Sequence, residues 1–317
     1  MIVNFGSLNV DYVYQVDHFV RPGETLAAAA FNVFAGGKGA NQSVALARAG
    51  ASVMHAGRLG RRDTWLRDKL AAAGVDPRLI ELVDGPSGHA IIQVNRQGEN
   101  SIVLFGGANQ TVTPAQIRKV MARARRGDVL LLQNEINDIA EIMRQGAAAG
   151  LLIALNPAPM SAAVKEYPLD LVDTLIVNEI EAEQLLGGNG ARLKPGAELV
   201  LTLGARGARY EAGGRRLAVP AEPVHAVDTT AAGDTFIGYF LAARAAGADP
   251  EAALRLACRA AAVCVTRPGA MDSIPLRAEV VPPAPSRRST SCASSRCRTG
   301  RGRSGRSAGR AGRRASG

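Results

Sequence analysis

Asp228-Thr229-Thr230-Ala231-Ala232-Gly233-Asp234-Thr235-Phe236 is a run of small residues that opens straight into an apolar helical face made by Phe236, Ile237, Phe240 and Leu241. The first turn of such a helix carries N–H groups without intrahelical partners, and with the positive end of the dipole they form a site for an anion. Ala231, Ala232 and Gly233 keep side chains out of the way, so a phosphate can approach the backbone. Asp234 stands at the mouth of that site. A carboxylate there can accept a hydroxyl proton while the N–H groups stabilise charge on a phosphoryl group in transfer. It can also be a plain helix-start acid, which the dipole favours on its own.

Outward from this segment, apolar runs of strand length alternate with Ala-rich helical stretches. That alternation predicts an α/β fold: a mostly parallel sheet covered on both faces by helices. Strands are expected at 2–6, 129–133, 151–155, 174–178 and 199–203, and several end at a polar residue or glycine, where ligands gather in such sheets. Helices are expected at 39–49, 64–73, 114–125, 139–149, 234–246 and 250–266, with Gly50, Gly74, Gly150 and Gly247 as stops. Residues 12–35 and 88–106 instead alternate apolar with polar, as in Ala90, Ile92 and Val94, with a turn at Asn95-Arg96-Gln97-Gly98. They predict a small separate sheet inserted between core elements, shaped as a lid.

Gly36-Gly37-Lys38-Gly39-Ala40-Asn41-Gln42 opens a second helix. Two glycines let a ligand touch backbone, and Asn41 offers both a donor and an acceptor, as a polyol requires; the loop can equally be glycine-rich for steric reasons alone. It is not a Walker A loop, because Gly39 and not Ser or Thr follows Lys38, and it lacks the spacing of a dinucleotide fingerprint. Asn9 and Asp11 follow the first strand, and Asp11 can accept two hydroxyls. Asn178-Glu179-Ile180-Glu181 ends another strand with a pairing that suits a water-mediated magnesium site.

The formal charge of +10 belongs to the end of the chain. Residues 281–317 hold ten arginines, no lysine and no acid, so residues 1–280 balance at 28 basic and 28 acidic groups. The expected organisation is one domain over 1–280 and a basic low-complexity tail over 281–317. That tail has no periodicity and too little apolar content to fold alone; it reads as a disordered extension, an arm for nucleic acid, or, the reading we favour, an out-of-frame end to a GC-rich coding sequence. No run of about 18 apolar residues argues for a membrane span. The start Met1-Ile2-Val3-Asn4-Phe5 reads as a strand and not as a secretory leader, which gives a cytoplasmic expectation. Cys258, Cys264, Cys292 and Cys297 do not form a zinc pattern, and the four histidines are scattered.

Taken together and in this order, GGKGANQ early and DTTAAGDTF late resemble the ribokinase branch of the phosphofructokinase-B family of carbohydrate kinases, from about residue 2 to about 280. The resemblance implies the family's three-layer αβα fold with a small β-sheet lid. It implies Asp234 as catalytic base and Ala231, Ala232 and Gly233 as anion hole. Asn9, Asp11, Gly36, Gly37, Lys38, Asn41 and Glu135 match positions lining a sugar site, with Ala90 and Ile92 at lid positions over it. Thr202, Gly204, Ala205, Arg206 and Gly207 match a nucleotide loop, and Asn178 and Glu181 an Asn-x-x-Glu motif tied to magnesium and phosphate. Members of that branch also bind an activating monovalent cation, usually potassium, which implies a site at Asp228, Thr230, Cys264, Arg267, Gly269 and Ser273, several of them through carbonyls.

The activity so implied is phosphorylation of D-ribose by ATP, with magnesium and potassium, in a dimer paired through its lid. Fructose, deoxyribose or adenosine are the alternative acceptors within the family. Nucleic-acid binding through the tail is the alternative from another class, and deletion of 281–317 separates the two. The chain departs from the pattern at Gly60-Arg61-Arg62-Asp63-Thr64-Trp65, where an acidic glycine-containing turn is usual, and after Ser273-Ile274-Pro275, where a last helix is usual.

Overall fold

A computed structural model describes residues 1–187 and 192–281. The basic segment 282–317, with Cys292 and Cys297, lies outside the described residues. In chain order the strands are β1 (Ile2–Phe5), β2 (Asn9–Gln15), β3 (Ala30–Gly36), β4 (Val53–Gly60), β5 (Asp76–Val83), β6 (Gly88–Val94), β7 (Asn100–Phe105), β8 (Val129–Gln133), β9 (Leu152–Asn156), β10 (Val172–Asn178), β11 (Glu198–Thr202), β12 (Ala208–Ala212) and β13 (Arg215–Val219). The helices are α1 (Lys38–Arg48), α2 (Thr64–Ala72), α3 (Pro114–Met121), α4 (Ile139–Ala148), α5 (Glu179–Leu186), α6 (Ala232–Ala245), α7 (Pro250–Val265) and α8 (Arg277–Val280).

Nine strands form one sheet in the order β13-β12-β11-β10-β9-β8-β1-β4-β5. Its strands from β5 to β11 run parallel, and β12 and β13 add an antiparallel edge. Side chains alternate between two apolar layers, as the period of a strand demands. Ile2 and Leu131 pack into one layer with α1, α2, α6 and α7, while Val3, Phe5, Leu130 and Leu132 pack into the other with α3, α4 and α5. This is a three-layer αβα arrangement, and a second sheet of four strands, β3-β2-β6-β7, stands beside it.

The site's position follows from the strand order. From β1 the chain reaches β4 and β5 on one side, then crosses back to β8 on the other, so the direction of winding switches between β1 and β8. Ligands of such sheets bind outside the strands' carboxyl ends at that switch. Both excursions that build the small sheet, β2-β3 after β1 and β6-β7 after β5, leave from carboxyl ends and so stand over the same place.

Local chemistry sets the helix ends. Thr113 caps α3 by accepting from Gln116 N, and Asp249 caps α7 by accepting from Glu251 N and Ala252 N, each with proline next in line. Gly50, Gly74, Gly150 and Gly247 all lie at positive φ just beyond helices, where they end α1, α2, α4 and α6. A single turn of helix, α8, follows Ser273-Ile274-Pro275, and its Val280 is completely buried. Arg61 and Arg62 form a 3-10 turn that lines a hollow with Tyr12 and His89, away from the carboxyl ends of β8 to β11.

Candidate active site

α6 begins at the edge of a cavity of about 240 Å³ lined by Lys38, Asn156, Asn178, Glu181, Thr202, Thr229, Ala231, Gly233 and Asp234. No side chain caps this helix, and Ala231 at its N-cap holds φ 60 in the left-handed region. A non-glycine residue pays about 1 kcal/mol for that conformation. The Ala232 N–H is bonded to Thr229 O at 3.2 Å, while Ala231, Gly233 and Asp234 line the cavity at this helix start, whose first-turn N–H groups suit an anion. An added Cβ on Gly233 would meet no protein atom within 4 Å, so the backbone there is open to a ligand.

Asp234 is 8% exposed, and two amides hold its carboxylate. Asn41 Nδ2 donates to Oδ2 at 3.0 Å and Gln42 Nε2 donates to Oδ1 at 2.9 Å. Asn41 Oδ1 is buried without a hydrogen-bond partner among the described residues, an acceptor available to a hydroxyl group. α1 and α6 approach closely enough to make these contacts because Gly238, one turn beyond Asp234, lies against the backbone of Ala45 and Leu46.

A second cleft, of about 590 Å³, lies under the small sheet between Asp11, Phe34, Ile92 and Ile102 on one side and Asp228, Thr229, Thr230 and Gly269 on the other. Thr229 lines both hollows, so the one with Asp11 adjoins the one with Asp234. Burial, with help from the charge of Glu135, pushes the Asp11 carboxyl up to about 6. Gly36 leaves space for it: a Cβ on Gly36 would fall 2.0 Å from Asp11 Oδ2. Ala90 is paired with Asp11 across β2 and β6 and is itself buried.

Glu135, at the carboxyl end of β8, accepts from Ser7 Oγ and from Lys38 N, the latter at 2.9 Å. Burial raises its carboxyl above the usual range against the pull of Lys38 and Ser7. Burial alone would lower the Lys38 ammonium, yet Asp234, Glu135 and Glu181 outweigh it and hold the group above its ordinary value. Lys38 therefore stays cationic on the Asp234 side of the site. Asn9 is buried and accepts from Asn109 Nδ2 at 2.7 Å, while Gly37, at φ 92, abuts the Asn9 backbone.

Asn178 and Glu181 meet as a capping box. Asn178 Oδ1 accepts from Glu181 N at 2.8 Å and Glu181 Oε2 accepts from Asn178 N at 2.9 Å. One Glu181 oxygen is left for the cavity, enough for a contact through water. Of the expected nucleotide loop only Thr202 lines the cavity. Gly204, Ala205 and Arg206 form the next turn, with Arg206 paired to Glu179, and Gly207 packs against the Val219 carbonyl, where a Cβ would lie 2.0 Å away.

Asp228 ties the two loops at the base of α6 and α7. It accepts from Thr230 N at 2.8 Å and Gly269 N at 2.9 Å, and although burial opposes it, these bonds hold its carboxyl below the usual range. The buried Cys264 thiol is 3.1 Å from Ser273 Oγ and accepts from Thr235 Oγ1 at 3.3 Å. The Arg267 side chain turns away to Glu279 at 2.7 Å, so only its backbone is free for this locus. One carboxylate among carbonyls and a hydroxyl is a donor set of hard oxygens with a single negative charge, which fits a monovalent cation better than a divalent one.

Several side chains at the site carried no sequence expectation: Ser7, Gln42, Asn109, Gln133 and Asn156. Gln42 was visible as the last residue of the glycine cluster, but its reach to Asp234 spans 192 positions of sequence.

With this geometry in view, a family model described as pfkB family carbohydrate kinase matches residues 1–277. The chain belongs to the pfkB family of carbohydrate kinases. This carbohydrate kinase is 38% identical over 283 residues to the ribokinase of Bacillus subtilis (strain 168), across 87% of this chain and 96% of that protein. Ribokinase from Cryptococcus neoformans var. grubii serotype A, in complex with ADP, matches at 33% identity and a TM-score of 0.77, across 88% of this chain and 98% of that one. Arabidopsis thaliana ribokinase complexed with ribose and ATP matches at 29% identity and a TM-score of 0.78, across 88% and 96%.

Proposed function

We propose that this carbohydrate kinase transfers the γ-phosphoryl group of ATP to the primary hydroxyl of D-ribose, giving D-ribose 5-phosphate and ADP. The observation that carries the reading is the Asp234 carboxylate, held by two amides at an uncapped helix start where the two hollows meet. The relatives named above, ribokinases that include a complex with ribose and ATP, support the choice of substrates. Asp11 and Asn41 hold the sugar, Asp234 takes its hydroxyl proton, and the freed oxygen attacks the γ-phosphorus as the bond to ADP breaks. Lys38 and the N–H groups around Gly233 stabilise the charge in transfer. Thr202, with Gly204, Ala205, Arg206 and Gly207 beyond it, faces the nucleotide, and Ala90 and Ile92 belong to a lid that excludes water when it closes.

Glu181 and Asn178 would hold magnesium through water, and the ion would neutralise phosphate charge. Asp228, Ser273 and the carbonyls of Thr230, Cys264, Arg267 and Gly269 would hold potassium, which would stiffen the loop that carries the anion hole. No helix among the described residues is long and apolar enough to cross a membrane. We assign the enzyme to the cytoplasm, where ATP is supplied.

The test is a panel of D-ribose, deoxyribose, fructose and adenosine with ATP, magnesium and potassium. Ribose should give the highest kcat/KM, and no turnover with ribose overturns the assignment. The protonation state of Asp11 sets a pH dependence. Its carboxyl is raised from 3.8 to about 6, so the folded chain protonates it below about pH 6 and loses the acceptor for sugar hydroxyls. kcat/KM for ribose should fall about tenfold per pH unit below that point. The linkage sign is opposite for stability: a raised carboxyl favours the fold at low pH and loses that contribution as pH rises through about 6. Asp11→Asn should therefore melt higher than the parent at pH 8 while binding ribose more weakly, and a lower melting point there would contradict the burial argument.

The outer face of the small sheet supports a homodimer. Phe31, Ile91, Val103 and Phe105 are 50%, 42%, 65% and 51% exposed on one face, and β3 and β7 are free edges. Sedimentation should give two chains per particle, and Val103→Asp should give one.

A further inference from the structure

Strands β1, β8 and β9 are apolar except near their carboxyl ends, where Asn4, Gln133 and Asn156 replace apolar residues on the layer that packs against α1. All three are buried, at 0%, 1% and 6% exposure, and all three connect directly or in one step to Gln42 of α1, itself 0% exposed. Buried polar side chains at this depth are tolerated when each donor finds an acceptor. Here the bonds also have a fixed direction.

The direction starts from two backbone carbonyls, which can only accept. Asn4 Nδ2 donates to Gly39 O at 2.7 Å and to Ser43 Oγ at 2.8 Å, so Asn4 must present Oδ1 to Gln133. Gln133 Nε2 therefore donates to Asn4 Oδ1 at 3.0 Å and to Gln42 Oε1 at 2.7 Å. Independently, Asn156 Nδ2 donates to Ile176 O at 3.0 Å, which turns Asn156 Oδ1 toward Gln42. Gln42 Nε2 donates to that oxygen at 3.2 Å and to Asp234 Oδ1 at 2.9 Å. Both anchors demand the same orientation of the Gln42 amide, with its NH2 toward the carboxylate. On the other side of the network Ser43 Oγ, which accepts from Asn4, lies 2.8 Å from His55 Nδ1, and burial pushes His55 down to about 4.

We propose that Gln42 is a positioning residue for phosphoryl transfer: oriented by Gln133, Asn4 and Asn156, it locks the Asp234 carboxylate so that a free lone pair faces the substrate hydroxyl. Asn41 holds Oδ2 from the substrate side and Gln42 holds Oδ1 from the core side, so the carboxylate plane cannot rotate. A hydrogen bond to an ionised acceptor is the stronger kind, and misplacement of a reacting group by about 1 Å costs on the order of 10²-fold in rate. Gln42 touches no substrate in this arrangement and acts only through Asp234. The inference rests on the reading of Asp234 as base.

Gln42→Met keeps length and volume and removes the NH2. It should lower kcat about 30-fold while the ribose KM stays within about threefold, because sugar contacts are untouched. In an Asp234→Asn background the same change should lower the residual rate by less than about twofold, since the carboxylate it orients is gone. If Gln42→Met does not fold, Gln42→Leu likewise removes the NH2 and adds no charge beside Asp234, and it should show the same split. A kcat within twofold of the parent in either variant, or a further tenfold loss on top of Asp234→Asn, overturns the inference. A purely structural glutamine would lower the melting temperature and leave kcat of the folded protein unchanged. A parent enzyme inactive on ribose would instead overturn the substrate assignment, and an undiminished Asp234→Asn would overturn the base.

Discussion

Asp234→Asn should lower kcat on ribose by about 10³-fold, the scale of a lost general base, with ribose affinity within a few-fold of the parent. Asparagine keeps the shape of the side chain and one acceptor oxygen. Its NH2, however, must face an amide donor, from Asn41 or from Gln42, because both already point their protons at the carboxylate. The variant thus loses the base and also strains its cradle, and calorimetric ribose binding separates the two effects. Binding held and turnover lost is the expected pair. A variant retaining a tenth of the parent rate is incompatible with the role assigned to this carboxylate.

Gly238→Ala should be damaging for a geometric reason. Positions 234 and 238 share one face of α6, since residues four apart on a helix stack one above the other. Asp234 meets the amides of α1 there, and Gly238 meets the α1 backbone. A Cβ at 238 would lie 2.3 Å from Ala45 Cβ and 2.8 Å from both Ala45 C and Leu46 N, atoms that cannot swing aside as a long side chain can. In an exposed helix the change from glycine would gain up to about 1 kcal/mol. Overpacking of about 1–3 kcal/mol opposes it, and the only relief is to part α1 from α6. The melting temperature should fall by several degrees and kcat by about 10²-fold, as Asp234 leaves its donors. A variant as stable and active as the parent would mean that the close crossing of the two helices is not needed.

The Asp234 cradle and the α1–α6 crossing both join segments nearly two hundred residues apart in sequence. The elements themselves were legible: β8 was expected at 129–133 and is Val129–Gln133, and α7 was expected at 250–266 and is Pro250–Val265. Long periodic runs and terminal glycines report on local structure, and local structure obeys local rules. The strands β4, β5, β12 and β13 carried no comparable expectation; β4 holds His55, Gly57 and Arg58 among its apolar residues, and its identity comes from pairing with β1 and β5. Asn-x-x-Glu at 178–181 suggested a magnesium partner, and the fold adds that the same two side chains cap α5.

From residue identity and order alone came the alternation of strand and helix, the small-residue helix start before Asp234, the glycine cluster at 36–39 and the family they resemble together. Tertiary structure decided which amides face that carboxylate, why Asp11 resists ionisation, and how Asn4, Gln133 and Asn156 hold Gln42 in one orientation. The reason is physical: a helix start is built from neighbours in sequence, whereas burial and the direction of a buried amide depend on groups more than a hundred residues away, which only packing brings within 3 Å.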